Sequence, residues 1–366
     1  MIARKLHILG QELGARRSAI RDRQALEILI LYVTNHCNMK CGHCFFAENL
    51  NDGTEDMAPE RVEQIFRSMP RIREEIAITG GEPFLHRKLP QVVRAIHDSS
   101  SSRDIQINTN GWYIERTQEY AEDMVSWNRK RISIQISLDG MEETHDAIRG
   151  LEGSFQRAME TAQGLMKMQR LEEPGFFTPV FLMVINGRNY QDIRPLANFL
   201  YQEYGLPLAF ELMRGSDYSA WKVPEDLREP SYNPPELALP PKSEWDKIYS
   251  EVQNLNRELG LPFKHFATKL KTQFNMLRHE QRVVDCVAPE GRTPVIYANG
   301  DVATCEFSKP FANLGEFDDD FSALWSSQAA EKNRDALSVC HCTHACFLVP
   351  SMRRDLASNF RLLVDL

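Results

Sequence analysis

The residues of this 366-residue chain best suited to chemistry are its eight cysteines, which fall in two groups. Cys37, Cys41 and Cys44 lie within the stretch CNMKCGHC. Cys286, Cys305, Cys340, Cys342 and Cys346 lie in the last quarter, and the 241 residues between the groups hold none. That distribution reads as two sites rather than a scattered disulfide framework. Three thiolates in one loop, with no fourth cysteine nearby, suit a [4Fe–4S] cluster whose last iron is left to a non-protein ligand. A structural zinc would want four closed ligands. His36 and His43 could complete such a set in the first group, and His341 and His344 could help in the second, so zinc stays open at both.

Net charge is −8, from 43 basic against 51 acidic residues, which argues against nucleic acid as the main partner. No apolar run approaches the roughly 18 residues of a membrane span. LEILILYV (26–33) is the longest obvious one and reads as a buried strand. The N-terminus lacks a secretory apolar segment, so a cytoplasmic location is expected. There, clustered thiols more often bind metal or react than form disulfides.

The elements that must position these thiols alternate between strands and helices. Strands are expected at 28–33, 75–80, 105–110, 132–138, 180–185 and 208–213, and helices at 58–69, 117–127, 154–168 and 193–204. Six β/α units imply a parallel sheet, either an open (β/α)6 barrel or a doubly wound sheet. The near-continuous apolar strands suit burial on both faces. The segment 215–242 carries six prolines and is neither regular helix nor strand. It is a surface linker or a loop over the barrel mouth. Helical stretches are expected at 243–259, 266–284 and 322–338. TPVIYANGDVATC (293–305) reads as a hairpin with a type I′ turn at Asn299-Gly300. The resulting division is a basic extension (1–27), the barrel (28–214), a loop and helical linker (215–284), a second cysteine unit (285–350) and a tail (351–366). Its residues 1–23 have six basic residues against two acidic. It is either a solvated basic helix or a dock for an acidic partner or membrane surface.

Cx3Cx2C after a first strand resembles the radical S-adenosylmethionine (SAM) superfamily, and the likeness runs on in register. ITGGEPFLH (78–86) resembles its Gly-Gly-Glu motif, which implies that Gly80, Gly81 and Glu82 meet the SAM amino group. Glycines allow close approach, and a carboxylate suits an ammonium. INTNGW (107–112), with Asn108 and Asn110, and ISLDG (136–140), with Ser137 and Asp139, resemble strand ends that line SAM. THDAIRG (144–150) implies that Arg149 meets the SAM carboxylate, and VIN (184–186) puts Asn186 near the adenosine. The second cysteine group resembles the shortened "twitch" form of the SPASM auxiliary-cluster domain. That likeness implies one auxiliary [4Fe–4S] cluster on Cys286, Cys305, Cys342 and Cys346. Cys340 is then an alternative ligand or a spare, because Cys340-x-Cys342 departs from the usual spacing.

The resemblance implies an oxidoreductase-type enzyme that cleaves SAM reductively and abstracts a hydrogen atom. A flavodoxin- or ferredoxin-type reductant would supply the electron. An auxiliary cluster that accepts an electron implies net oxidation, for which Glu306 is a candidate base; a solvated glutamate is the plainer alternative. A small-molecule substrate is expected, since about 27 residues before the first strand are too few for a leader-binding domain. Peptide crosslinking or epimerisation is the alternative. A non-catalytic metal scaffold is remote, because it would have no use for Glu82 and the glycine pair.

Overall fold

The computed structural model describes residues 25–127, 130–168, 177–206, 208–230, 234–259, 264–355 and 358. The basic N-terminal helix read from the sequence lies outside them. Six strands open the fold: β1 Leu26–Thr34, β2 Ile72–Gly80, β3 Asp104–Thr109, β4 Arg131–Ser137, β5 Phe177–Ile185 and β6 Leu208–Leu212. They pair in parallel and in chain order, with no reversal along the run. A doubly wound sheet requires such a reversal, so the architecture is the partial barrel.

Helices α1 Pro59–Ser68, α2 Leu89–Ser99, α3 Ile114–Val125, α4 Glu142–Arg149, α5 Ser154–Met168 and α6 Ile193–Tyr204 accompany the strands. In α1, Pro59 takes the first turn, where its missing N–H is harmless, and Val62, Ile65 and Phe66 form the buried stripe. The helix α2 was not expected, yet its buried Leu89, Val92, Val93 and Ile96 repeat with the same helical spacing.

Burial on both faces holds for β1 but not for β3 and β4. There, Ile105, Ile107, Ile132, Ile134 and Ile136 are buried, whereas Gln106, Asn108, Ser133, Gln135 and Ser137 are only partly so. The strands have one dry face and one polar face, as an open barrel that admits a ligand requires.

The proline-rich segment includes β7 Ala220–Trp221. Its Ala238 carbonyl accepts from Gly187 N (2.9 Å) just past β5. Leu237 lies so close to Gly42 that a Cβ there would sit 2.6 Å from the leucine Cδ1. The segment therefore lies over the cysteine loop and a strand end, as the covering reading expected. Helices α7 Trp245–Glu258 and α8 Lys264–His279 follow.

The hairpin forms from β8 Val295–Ile296 and β9 Asp301–Ala303, with β10 Ala312–Asn313 beyond it. Its turn spans 297–300, with Gly300 N donating to Tyr297 O (2.8 Å). Only Gly300 has positive φ (91°) there, so the turn is not type I′, which needs two such residues. Because β8 pairs in parallel with β1, the hairpin extends the barrel sheet to nine strands. The single helix expected over 322–338 is two, α9 Phe321–Trp325 and α10 Gln328–Leu337, because Ser327 caps the second by accepting from Ala330 N (3.2 Å). The strand β11 His341–Cys342 pairs with β7, and α11 Ala345–Arg354 follows. Its Arg353 and Arg354 reach Glu74 (2.7 Å) and Glu27 (3.2 Å). Among the described residues no helix is long and apolar enough to cross a membrane.

Candidate active site

The first cysteine loop leaves the C-terminal end of β1, the end at which such barrels build their sites. Backbone geometry pins it. A Cβ on Gly80 would lie 2.2 Å from Thr34 O, and one on Gly81 the same distance from His36 O. In this structure, the close approach these glycines serve is that of the β2 end to the loop's own backbone. The approach is sealed by bonds from Gly81 N to Thr34 O (2.8 Å) and from Glu82 N to His36 O (2.7 Å). Asn51 brackets Cys37, accepting from its N and donating to its O (both 3.1 Å). Asn110 Nδ2 donates to Asn38 Oδ1 (3.0 Å). Burial pushes the thiols up, Cys37 to about 12 and Cys44 to about 11, and Cys41 in the same direction. They stay protonated until a cation claims them.

Glu82 is 1% exposed. Its carboxylate accepts from Phe84 N (3.0 Å), Thr109 Oγ1 (2.9 Å) and Asn110 N (2.7 Å). Burial raises its pKa to about 7 even though these bonds favour the charge. Thr109 was not foreseen as part of this site, although it sits inside the quoted strand-end stretch.

Arg149, Asp139 and His43 form a buried group. Arg149 Nη2 lies 2.6 Å from Asp139 Oδ2, and its Nη1 lies 3.8 Å from Cys41 Sγ. His43 Nε2 lies 3.5 Å from the same Asp139 oxygen. Asp139 Oδ1 also accepts from Val184 N (3.0 Å), locking two strand ends together. Burial alone would raise the Asp139 pKa, but Arg149 and the two histidines His43 and His145 hold it low.

The remaining expected SAM-lining residues are dispersed in role. Asn108 Oδ1 accepts from Gln106 (3.1 Å) and Gln135 (3.0 Å) along the polar strand face, which Ser137 shares. Asn186 is spent on a turn: its side chain donates to Val184 O (3.2 Å) and accepts from Arg188 N (2.9 Å).

The second group assembles from distant segments: Cys286 before the hairpin, Cys305 after it, and Cys340, Cys342 and Cys346 about β11 and α11. Glu306 is not a solvated glutamate. It is 3% exposed, and accepts from Tyr32 Oη (2.5 Å). His344 Nε2 lies 2.5 Å from its other oxygen, with Arg214 Nη1 at 3.3 Å. Burial opposes ionisation, but Arg214 and the bonds from His344 and Tyr32 pull its pKa down to about 2. Neither Tyr32 nor Arg214 was anticipated; Arg214 had the one usable signal, a charge just past the last barrel strand.

The donor sets fit iron–sulfur clusters better than single zinc ions. Tetrahedral zinc at Zn–S of about 2.3 Å holds its sulfurs about 3.8 Å apart. Among the described residues only Glu306, His344 and Cys346 bring three ligand atoms within 4.8 Å of one another, so both cysteine groups are wider than that. The histidines that might complete a zinc set are otherwise engaged. His36 pairs with Asp56 (3.1 Å), His43 with Asp139, and His341 stacks on Trp221 with its Nε2 3.1 Å from Glu280 O. Around the first group, Asn38 Nδ2, His43 Nδ1 and Arg149 Nε are buried polar atoms without a hydrogen bond, as a ligand-lined site would have.

Residues 31–200 match the family model described as the radical SAM superfamily. The GTP 3′,8-cyclase of Aquifex aeolicus (strain VF5) is 24% identical over 50% of this chain and 56% of its own length. The Fe-coproporphyrin III synthase of Methanosarcina barkeri is 27% identical over 55% and 47%. The sporulation killing factor maturation protein SkfB of Bacillus subtilis (strain 168) is 28% identical over 44% and 37%. The chain thus spans about half or less of these relatives. In fold, it is similar to anSMEcpe with bound AdoMet (TM-score 0.59, 15% identity, 84% of this chain and 83% of that one). It is similar also to Streptococcus suis SuiB bound to S-adenosylmethionine (TM-score 0.57, 14% identity, 84% and 67%). Residues 31–200 thus match the radical SAM superfamily, whose cofactors are a [4Fe–4S] cluster and SAM, and a second group of cysteines lies behind the barrel.

Proposed function

We propose that this radical SAM enzyme holds its SAM-binding cluster on Cys37, Cys41 and Cys44, and removes a hydrogen atom from a small-molecule metabolite in a net oxidation. The observation that supports it most is the three-thiol loop clasped to the strand ends beside a buried Glu82. When bound, the cluster and SAM supply a 5′-deoxyadenosyl radical by one-electron cleavage. The protein's own residues bind and exclude. Glu82 takes the SAM ammonium in a charge-assisted bond. Arg149 keeps Asp139 and the loop in place with two of its nitrogens, and leaves Nε to donate to a carboxylate. Asn110 sets Asn38 and thereby the loop's curvature. The proline-rich cover over Gly42 keeps water from the reacting carbon. Glu306, with its low pKa, is a poor base near neutrality. Its part is to orient Tyr32 and His344; the second cysteine group would hold an auxiliary cluster able to take the electron leaving the substrate, with the accompanying proton passing to solvent.

A second reading, modification of a peptide, draws on what relatives are called: SkfB is a maturation protein, and SuiB has been solved bound to precursor peptide SuiA. Anaerobic incubation with SAM and dithionite tests the shared core, and 5′-deoxyadenosine is the expected product. Mass comparison of candidate metabolites and peptides before and after turnover separates the readings. A metabolite two hydrogens lighter supports the first, and a modified peptide replaces it with the second.

A further inference from the structure

Strand alternation divides the barrel's side chains between two faces. On β2, Ile76 and Ile78 are fully buried and pack in the core with Val62, Ile65 and Val92 of α1 and α2. Glu75 lies on the other face, toward the lumen, and is partly exposed there. The register sets it beside Ile28 of β1, which packs with Ile30 and Tyr32 apart from the main core. On its other side stands Asp104 of β3, and beyond that Arg131 of β4. One row nearer the C-terminal strand ends come Gln106 and Ser133, and above them Asn108 and Gln135.

The charges around Glu75 are paired with one another, Asp104 with Arg131 and Glu74 with Arg353 (both 2.7 Å). Glu75 is left over. Among the described residues nothing donates a hydrogen bond to its carboxyl or forms an ion pair with it. Burial raises its pKa to about 7, helped by the neighbouring carboxylates. Keeping an acid there without a donor costs folding energy, and SAM does not need it, because the residues that meet SAM lie at the strand ends. Higher in the lumen, Asn108 Oδ1 accepts from Gln106 Nε2 (3.1 Å) and Gln135 Nε2 (3.0 Å). The Oε1 atoms of both glutamines accept nothing from the described residues and are open to solvent rather than sealed. Asn108 Nδ2 remains as a donor. The wall thus offers one unpaired carboxyl and two amide oxygens. A metal ion finds too few ligands, because among the described residues no third His, Cys, Asp or Glu joins Glu75 and Asp104.

We propose that Glu75 is a binding residue at the foot of the substrate pocket, where it takes the ammonium group of a hydroxylated, amine-bearing metabolite whose hydroxyls meet Gln106 and Gln135. This deepens the small-molecule reading and rests on it. An ammonium supplies the donors that Glu75 lacks, and the charge-assisted bond favours its ionised form. A neutral polyol would leave the carboxylate without a counter-charge, and an anionic substrate would be repelled. Glu75 stands five residues before Gly80, roughly 16 Å along the strand at about 3.3 Å per residue. It therefore holds the substrate by a group remote from the reacting carbon, where binding energy can be spent on orientation.

Amines and their matched alcohols test the subsite: ethanolamine against ethylene glycol, serinol against glycerol, and glucosamine against glucose. Reconstituted full-length protein is first saturated with SAM, without reductant, so that Glu82 is occupied and no turnover follows. Dissociation constants are read by ligand-observed NMR at about pH 8, above the Glu75 pKa. The wild type should prefer the amine of each pair, by about tenfold or more for glucosamine. In Glu75→Gln that preference should disappear. The variant's urea midpoint at the same pH should equal or exceed that of the wild type, because an unpaired buried charge has gone. A wild type that binds neither member of any pair, or binds both equally, overturns the proposal. So does a preference that survives in Glu75→Gln. A lower midpoint for the variant makes Glu75 a structural residue and overturns it as well. SAM cleavage by the wild type is measured separately, so failure of the radical reading and failure of this one are told apart.

Discussion

Two places in this molecule repeat one arrangement. At the first cysteine loop, Asp139 pairs with Arg149 at 2.6 Å and faces His43, beside Cys41. At the second centre, Glu306 pairs with Arg214 at 3.3 Å and faces His344, beside Cys346. Burial, together with the nearby arginine, keeps both imidazoles neutral, lowering each to about 4. The two differ in how the thiols are brought together. Cys41 shares its loop with Cys37 and Cys44, whereas Cys346 lies beside Glu306 and His344 and packs with cysteines from separate segments. An arginine–carboxylate–histidine unit thus stands beside a cysteine at both places, and the difference is whether one loop or several distant segments supply the other thiols.

The largest effect should come from removing the thiols of the single loop. Changing Cys37, Cys41 and Cys44 together to Ala should bring 5′-deoxyadenosine formation down to the protein-free level while leaving about four irons at the second centre. Cleavage that survives in the triple variant would sink the assignment of the first centre.

The two arginines come next. Arg149→Ala leaves Asp139 fully buried without its cation, a loss of about 3–5 kcal/mol when one partner of a buried pair is removed. Arg214→Ala should destabilise less, because its side chain is 26% exposed and Glu306 keeps its contacts with Tyr32 and His344. Urea unfolding midpoints compare the two. A larger drop for Arg214→Ala would overturn that ranking.

The contrast between the centres also explains what was legible in the sequence. The first centre is written in one loop: three thiols within eight residues, followed by strand ends whose Glu82, Asn110 and Asp139 do converge near it. Six strands and most helices were readable from their apolar spacing. The second centre is built from residues 32, 214, 286, 305–306 and 340–346, and no local pattern reveals that Tyr32, in an apolar strand, donates to Glu306 274 positions away. The hairpin's junction with β1 was hidden for the same reason, since two-residue pairing leaves no periodic trace. Glycines misled in a different way. A Gly-Gly pair marks close approach, but the type alone does not say whether a ligand or the chain's own backbone is approached.

The smallest expected effect concerns the two buried carboxylates. Glu306, with an arginine beside it, is pulled to about 2, whereas Glu82, on which Arg149 acts less than the neutral donors, is raised by burial to about 7. Their contributions to stability therefore have opposite signs. The Glu306 contribution is present above its unfolded value of 4.5 and is lost as pH falls toward 2. That of Glu82 is full below 4.5 and is lost as pH rises through about 7. On the proposed role of Glu82, binding of the SAM ammonium needs the charged form, so below about pH 7 it must first release a proton from Glu82. Affinity measured by equilibrium dialysis should weaken as pH falls, by up to about tenfold per unit, and level off above neutrality. Glu82→Gln removes a charge-assisted bond of about 1.5–3 kcal/mol, and should both weaken binding and flatten the pH profile. Binding that weakens in the glutamine variant but keeps the wild-type slope would assign the titration to another group, and the difference between the two carboxylates would then be without functional consequence.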